Sequence, residues 1–66
     1  SIELKKHMKN VTTLIVAKRI GTIINADKII VLDNGECVGI GTHKELLNTC
    51  SVYKEIALSQ FREEEL

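Results

Sequence analysis

The sequence predicts an α/β arrangement: strand, short helix, strand and hairpin strand, followed by two C-terminal helices. Three observations carry that prediction. Two segments, "VTTLIVA" and "KIIVLD", are rich in β-branched residues and almost continuously apolar in their later parts. An Asn-Gly pair follows the second and leads into a return segment. A Thr-x-x-Glu box then opens the helical part.

Taken in order, residues Ser1 to Asn10 read as the tail of a helix. Ile2, Leu4 and Met8 supply its apolar side, and Lys5, Lys6 and Lys9 suit the negative end of the macrodipole. Asn10 is the expected terminator. Val11 to Ala17 read as a strand, and its apolar second half predicts cover on both faces, as in a parallel sheet. Ile20, Ile23 and Ile24 fall at i, i+3 and i+4, the spacing of a short helix that Gly21 weakens. Asn25 and Asp27 mark its exit.

Lys28 to Asp33 form a second strand with the same doubly covered composition. Asn34-Gly35 predicts a type I′ hairpin turn, because both central positions of that turn need positive φ. Glu36 to Gly41 return as a strand whose glycines point to a sheet edge or a close backbone approach. Thr42 and Glu45 make a capping box for a helix through Leu46 and Leu47 that stops near Asn48. A last helix starts near Ser51. It places Val52, Tyr53, Ile56, Ala57, Gln60 and Phe61 on one face, and only Gln60 among them is polar.

Composition narrows the function classes. With 66 residues the chain is at most one small domain, and its formal net charge of zero gives no general reason to expect nucleic acid as a partner. The early lysines and the closing glutamates read as a solvated helix face and an acidic tail. No apolar run approaches the ~20 residues of a membrane-spanning helix, and no secretory leader is visible. Cys37 and Cys50 lack zinc spacing, and His7 and His43 form no metal motif with them, so no metal site is expected. Both cysteines are read as reduced and space-filling. An opening on Ser1 instead of methionine fits a processed or trimmed piece. The two strands also need more cover than the short helices offer, so the chain reads as part of a larger domain.

The stretch "TTLIVAKRIGTIINADKIIVLDNGECVGIGTHKELL" resembles the C-terminal segment, from the switch region onward, of the nucleotide-binding domain of exporter-type ABC transporters. The family pattern there is close to T-x-L-I-V-A-H-R-L-S-T-I, then N-A-D-x-I-x-V-L-D-x-G, then G-T-H-x-E-L-L, with a later tyrosine and glutamine matched here by Tyr53 and Gln60. "NADKIIVLDNG" and "GTHKELL" together are specific; each alone is weak. The resemblance implies a partial P-loop NTPase-like domain spanning residues 1–66, on the cytoplasmic face of a membrane. It implies ATP and magnesium as cofactors of the complete domain. The implied partners are the remainder of that domain, a second nucleotide-binding domain and transmembrane domains.

In that family the switch position is a histidine that touches the γ-phosphate and helps order the attacking water. Here that position is Lys18, the candidate catalytic and nucleotide-binding residue; Gly21 replaces the usual serine. A neutral imidazole donates on one nitrogen and accepts on the other, whereas an ammonium only donates. The expectation is ATP binding by a complete domain with slow hydrolysis at this site. Without the resemblance, Lys18 reads as a solvent-facing residue at a strand end.

Arg19 matches the family's arginine and is expected to pair with a carboxylate. Asp27 and Asp33 are read as structural, because neither has the partner carboxylate of acid/base work. His43 is read as a surface histidine in the capping turn, and Tyr53 as a ring packed under the last helix. The chain has no G-x-x-x-x-G-K-[ST] loop, and it lacks the family's signature sequence, glutamine loop and glutamate-bearing strand. Alone it should neither bind ATP usefully nor hydrolyse it. The alternatives are a non-enzymatic protein–protein interaction module and a remnant reading frame. A fragment should expose apolar surface on Leu14, Val16, Ile30 and Leu32, which a true module would cover.

Overall fold

In the computed structural model, residues 1–8 and 11–64 are described, with 11–17 and 64 defined by backbone alone. The elements are β1 (Ile2–Met8), β2 (Val11–Ala17), α1 (Ile20–Ile23), β3 (Lys28–Asp33), β4 (Glu36–Gly41), α2 (His43–Thr49) and α3 (Ser51–Glu64). From β2 onward, the order of elements is the one the sequence predicts. The strands form one sheet in the order β2-β1-β3-β4, and every neighbouring pair is antiparallel.

The expected N-terminal helix tail is a strand instead. β1 lies between β2 and β3, with Leu4 opposite Ala17 on one side and Val31 on the other. The reason is in the spacing. Leu4 and Met8, four apart, share a face in both a helix and a strand, so they do not discriminate; Ile2 and Leu4, two apart, share a face only in a strand. Two strands then supply ladder partners on both sides of the segment, and that pairing overrides the weak macrodipole preference of its lysines. Lys6 extends to α1, where its Nζ donates to the Thr22 carbonyl at 3.4 Å. The predicted end at Asn10 and the close at Glu65 lie outside the described residues.

The expectation of a parallel sheet also fails, and with it the double cover of β3; the side chains of β2 lie outside the described residues. In β3, Ile29 and Val31 are fully buried, while Ile30 and Leu32 between them are half-buried. The helices lie on the face of Leu4, Ile29 and Val31 only, so β3 alternates as an antiparallel strand with one covered face. The core joins those residues to Ile20, Ile23 and Ala26 around α1 and to Leu46, Cys50, Tyr53 and Ala57 on the C-terminal helices. The side chains of Leu14 and Val16 lie outside the described residues.

The hairpin follows its prediction. Asn34 has φ 51° and Gly35 φ 84°, the positive pair that a type I′ turn requires. β4 is an edge strand, and Gly39 allows a close approach: a Cβ there would stand 2.9 Å from Cys50 Sγ and 3.1 Å from Leu46 Cδ2. The capping box is complete. Thr42 Oγ1 accepts from the Glu45 N–H at 3.2 Å, and Glu45 Oε1 accepts from the Thr42 N–H at 2.8 Å. The chain turns at Cys50, whose N–H caps α2 and whose carbonyl accepts the first hydrogen bond of α3.

Two packing expectations divide. Cys50 is buried and fills space, but Cys37 is exposed on the edge strand, because the two-residue turn sets it opposite Leu32 on the open face of the sheet. On α3, Val52, Tyr53, Ile56 and Ala57 turn inward, whereas Phe61 remains 43% exposed because the core ends below it.

Candidate switch segment

The chemistry that the sequence offers is concentrated between β2 and α1. β2 ends at Ala17, and Arg19 is the N-cap of α1 with extended backbone (φ −113°, ψ 131°) and no side-chain cap of its own. Lys18 and Arg19 are exposed, and Ile20 is buried at once behind them. This is the physical sense of a strand that ends in two cations: the chain leaves the sheet, passes through solvent for two residues and re-enters the core as a helix.

α3 holds this turn in place. Gln60 Oε1 accepts from the Ile20 N–H at 2.8 Å, and its Nε2 donates to the Lys18 carbonyl at 3.0 Å. One helical turn further along, Glu63 Oε2 lies 2.9 Å from Arg19 Nη1, the carboxylate pairing expected for that arginine. Both side chains of that ion pair are more than half exposed, so its contribution to stability is small. The Gln60 bonds matter more, because the Ile20 N–H opens α1 and has no partner within the helix.

Lys18 and Gln60 border a cleft of about 570 Å³ whose wall is completed by Ile56 of α3 and by residues 1–4. Glu3 is the carboxylate on that wall. Lys18 brings to this cleft an ammonium, which donates but cannot itself accept a proton from water. Among the described residues no group of three or more His, Cys, Asp or Glu could hold a metal ion.

His43 and Tyr53 form a second polar pair, away from the switch turn. His43 Nδ1 and the Tyr53 hydroxyl are 2.6 Å apart, and the rings meet edge to face at 5.5 Å. His43 is therefore half-buried and partnered, not the surface histidine that the sequence suggests. Tyr53 is fully buried as expected, and desolvation pushes its pKa up to about 12.

Sequence reasoning found Lys18 and Arg19 but assigned nothing to Gln60. A signal was present: Gln60 is the one polar residue on an otherwise apolar helix face, and a polar group turned inward must find partners.

Comparison with known proteins bears on this segment. Over 60 residues the chain is 47% identical to an ATP-dependent lipid A-core flippase of Hahella chejuensis, covering 91% of this chain and 10% of that protein. Over 61 residues it is 46% identical to the protein of the same name in Bordetella pertussis, covering 92% and 10%. An uncharacterised ABC transporter ATP-binding protein of Mycobacterium bovis is 44% identical over 57 residues, covering 86% and 10%. The chain thus spans about a tenth of the length of the curated relatives it matches. No family model matches it, and no solved structure does.

Proposed function

Because the chain belongs to the ABC transporter ATP-binding family, we propose that it is the C-terminal segment of an ATP-binding domain that powers export across a membrane. The observation that carries this reading is 47% identity over 91% of the chain, together with the "NADKIIVLDNG" and "GTHKELL" motifs. In this reading the complete domain is P-loop NTPase-like, uses ATP and magnesium, and works at the cytoplasmic face. Its partners are the rest of the domain, a second nucleotide-binding domain and transmembrane domains. Among the relatives, two are named as lipid A-core flippases and one carries no substrate in its name, so no substrate is carried over.

Lys18 stands at the switch position. Its ammonium pairs with a phosphate oxygen but accepts no proton from the attacking water. The 66-residue chain lacks a phosphate loop and is inactive alone. Partial exposure of the outer sheet face supports a segment over a self-contained module: Ile30 and Leu32 are half-buried, Val38 is 41% exposed and Ile40 is 56% exposed. A fragment requires further protein to cover such a surface.

The test is the longer coding sequence. A phosphate loop, a signature sequence and an acidic strand end are expected upstream, and their absence would sink the reading. In the complete protein, Lys18→His should raise ATP turnover by about 100-fold, the scale of one positioned acid/base group. Unchanged turnover in a steady-state assay would show that Lys18 does not limit the site.

A further inference from the structure

We propose that Gln60 is a positioning residue for the switch side chain, a role that rests on the reading of residue 18 just given. Its amide bonds the two backbone groups that flank Arg19. Oε1 takes the Ile20 N–H at 2.8 Å and Nε2 gives to the Lys18 carbonyl at 3.0 Å, both well within hydrogen-bond geometry. The contact spans 40 residues of sequence, from the last helix to the first.

The need for it is local. α1 is four residues long, and its N-cap, Arg19, supplies no side-chain acceptor. The Ile20 N–H would otherwise open the helix unpaired beside a residue that is 1% exposed. A glutamine on α3 provides the missing cap. Its second bond, to the carbonyl before the cap, fixes the peptide plane that follows Lys18. Bonds on both sides of one residue leave the backbone at 18–20 little freedom, so the Cα–Cβ direction of Lys18 is set by α3. The Arg19–Glu63 pair acts one turn along the same helix. The first rotatable bonds of Lys18 thus start from a fixed base at the rim of the cleft that Gln60 also lines.

A primary amide performs both tasks, because it carries an acceptor and a donor on one planar group. A carboxylate at the same place accepts from Ile20 but repels the Lys18 carbonyl; alanine does neither.

The first test needs no nucleotide. In the complete protein without nucleotide, Gln60→Ala should speed amide exchange at Ile20 by about 5-fold or more, the scale of one lost hydrogen bond. The Val31 and Leu4 amides of the sheet should keep their rates. Gln60→Glu should hold Ile20 at its original rate. Ile20 exchange unchanged in Gln60→Ala, or sheet amides accelerating equally, would overturn the proposal. If Gln60→Ala does not fold, Gln60→Glu decides: loss of Ile20 protection in a folded Gln60→Glu chain also overturns it.

The second test uses the complete protein and a double-mutant cycle. Gln60→Ala should lower kcat by about 10-fold with KM for ATP unchanged, because misplacement of a reacting group by a fraction of an ångström has that order of cost. In a Lys18→Ala background the same change should have no further effect, since there is no side chain left to aim. Additive losses would mean a merely structural residue and overturn the proposal. A complete protein without ATPase activity would remove the function proposed above, and the exchange measurement would still decide the clamp.

Discussion

Strand β1 and the stretch from Asn34 to Cys50 are alike in size of local signal and opposite in outcome. The second stretch folds as its residues announce. Asn34 and Gly35 take positive φ, Thr42 and Glu45 cap each other, and Gly39 lets the edge strand touch Cys50. Each of these signals is closed within a few residues or depends on a conformation that few residue types adopt. β1 carries signals of the other sort. The four-residue spacing of Leu4 and Met8 suits a helix and a strand equally, and lysines near a helix end are a weak, solvent-screened preference. What decides β1 is the presence of two strands that each need a neighbour. A local reading succeeds where the hydrogen bonds are local.

The sharpest way to break this comparison is to truncate Leu4. It is 2% exposed, opposite both Ala17 and Val31. Leu4→Ala should cost about 2–5 kcal/mol, measured by denaturant unfolding. A chain of this size has on the order of 3–10 kcal/mol in total, so the variant should lose a large share of its stability. A surface helix tail would lose less than about 0.5 kcal/mol, and that result would return the segment to the helix that its lysines suggest.

The capping box gives a smaller effect from the region that behaves locally. Thr42→Ala should cost about 1 kcal/mol and leave the sheet intact by far-ultraviolet spectroscopy. A cost near zero would mean that α2 is held by Leu46 and Tyr53 alone, and that its cap is incidental.

A further signal is alkaline. Burial raises the Tyr53 pKa from 10 to about 12. The folded chain therefore holds its phenolic proton more tightly than the unfolded chain does. This contribution is complete below pH 10 and is lost as the pH rises from 10 to 12. Stability should fall across that window, and Tyr53→Phe should flatten the slope. A Tyr53→Phe chain with the same slope would place the titration elsewhere.

Of the candidate site, Lys18 and Arg19 were legible because a β-branched apolar run that ends in two cations is unusual at any strand end. The carboxylate for Arg19 was foreseen as a type, and the structure names it as Glu63. Gln60 was legible as an oddity on an apolar face and as a match to the glutamine of the family pattern, but its partners were not. Its partners are the backbone groups of Lys18 and Ile20, and a backbone group carries no residue identity that a pattern could match. The pairing of His43 with Tyr53 was missed for a related reason: each residue has an ordinary role by itself, and only the corner at Cys50 brings α2 and α3 to a 2.6 Å contact.

By itself, then, the sequence determined the hairpin, the capped helix, the existence of β2, β3 and β4, and the family. All of these rest on short-range sterics, local hydrogen bonds or direct residue matching. Tertiary structure alone decided that residues 2–8 form a strand, that the sheet is antiparallel with one open face, and that α3 grips the turn at residues 18–20. Those outcomes depend on which distant backbone groups find each other, and the free energy of that choice is spread over segments that no local pattern connects.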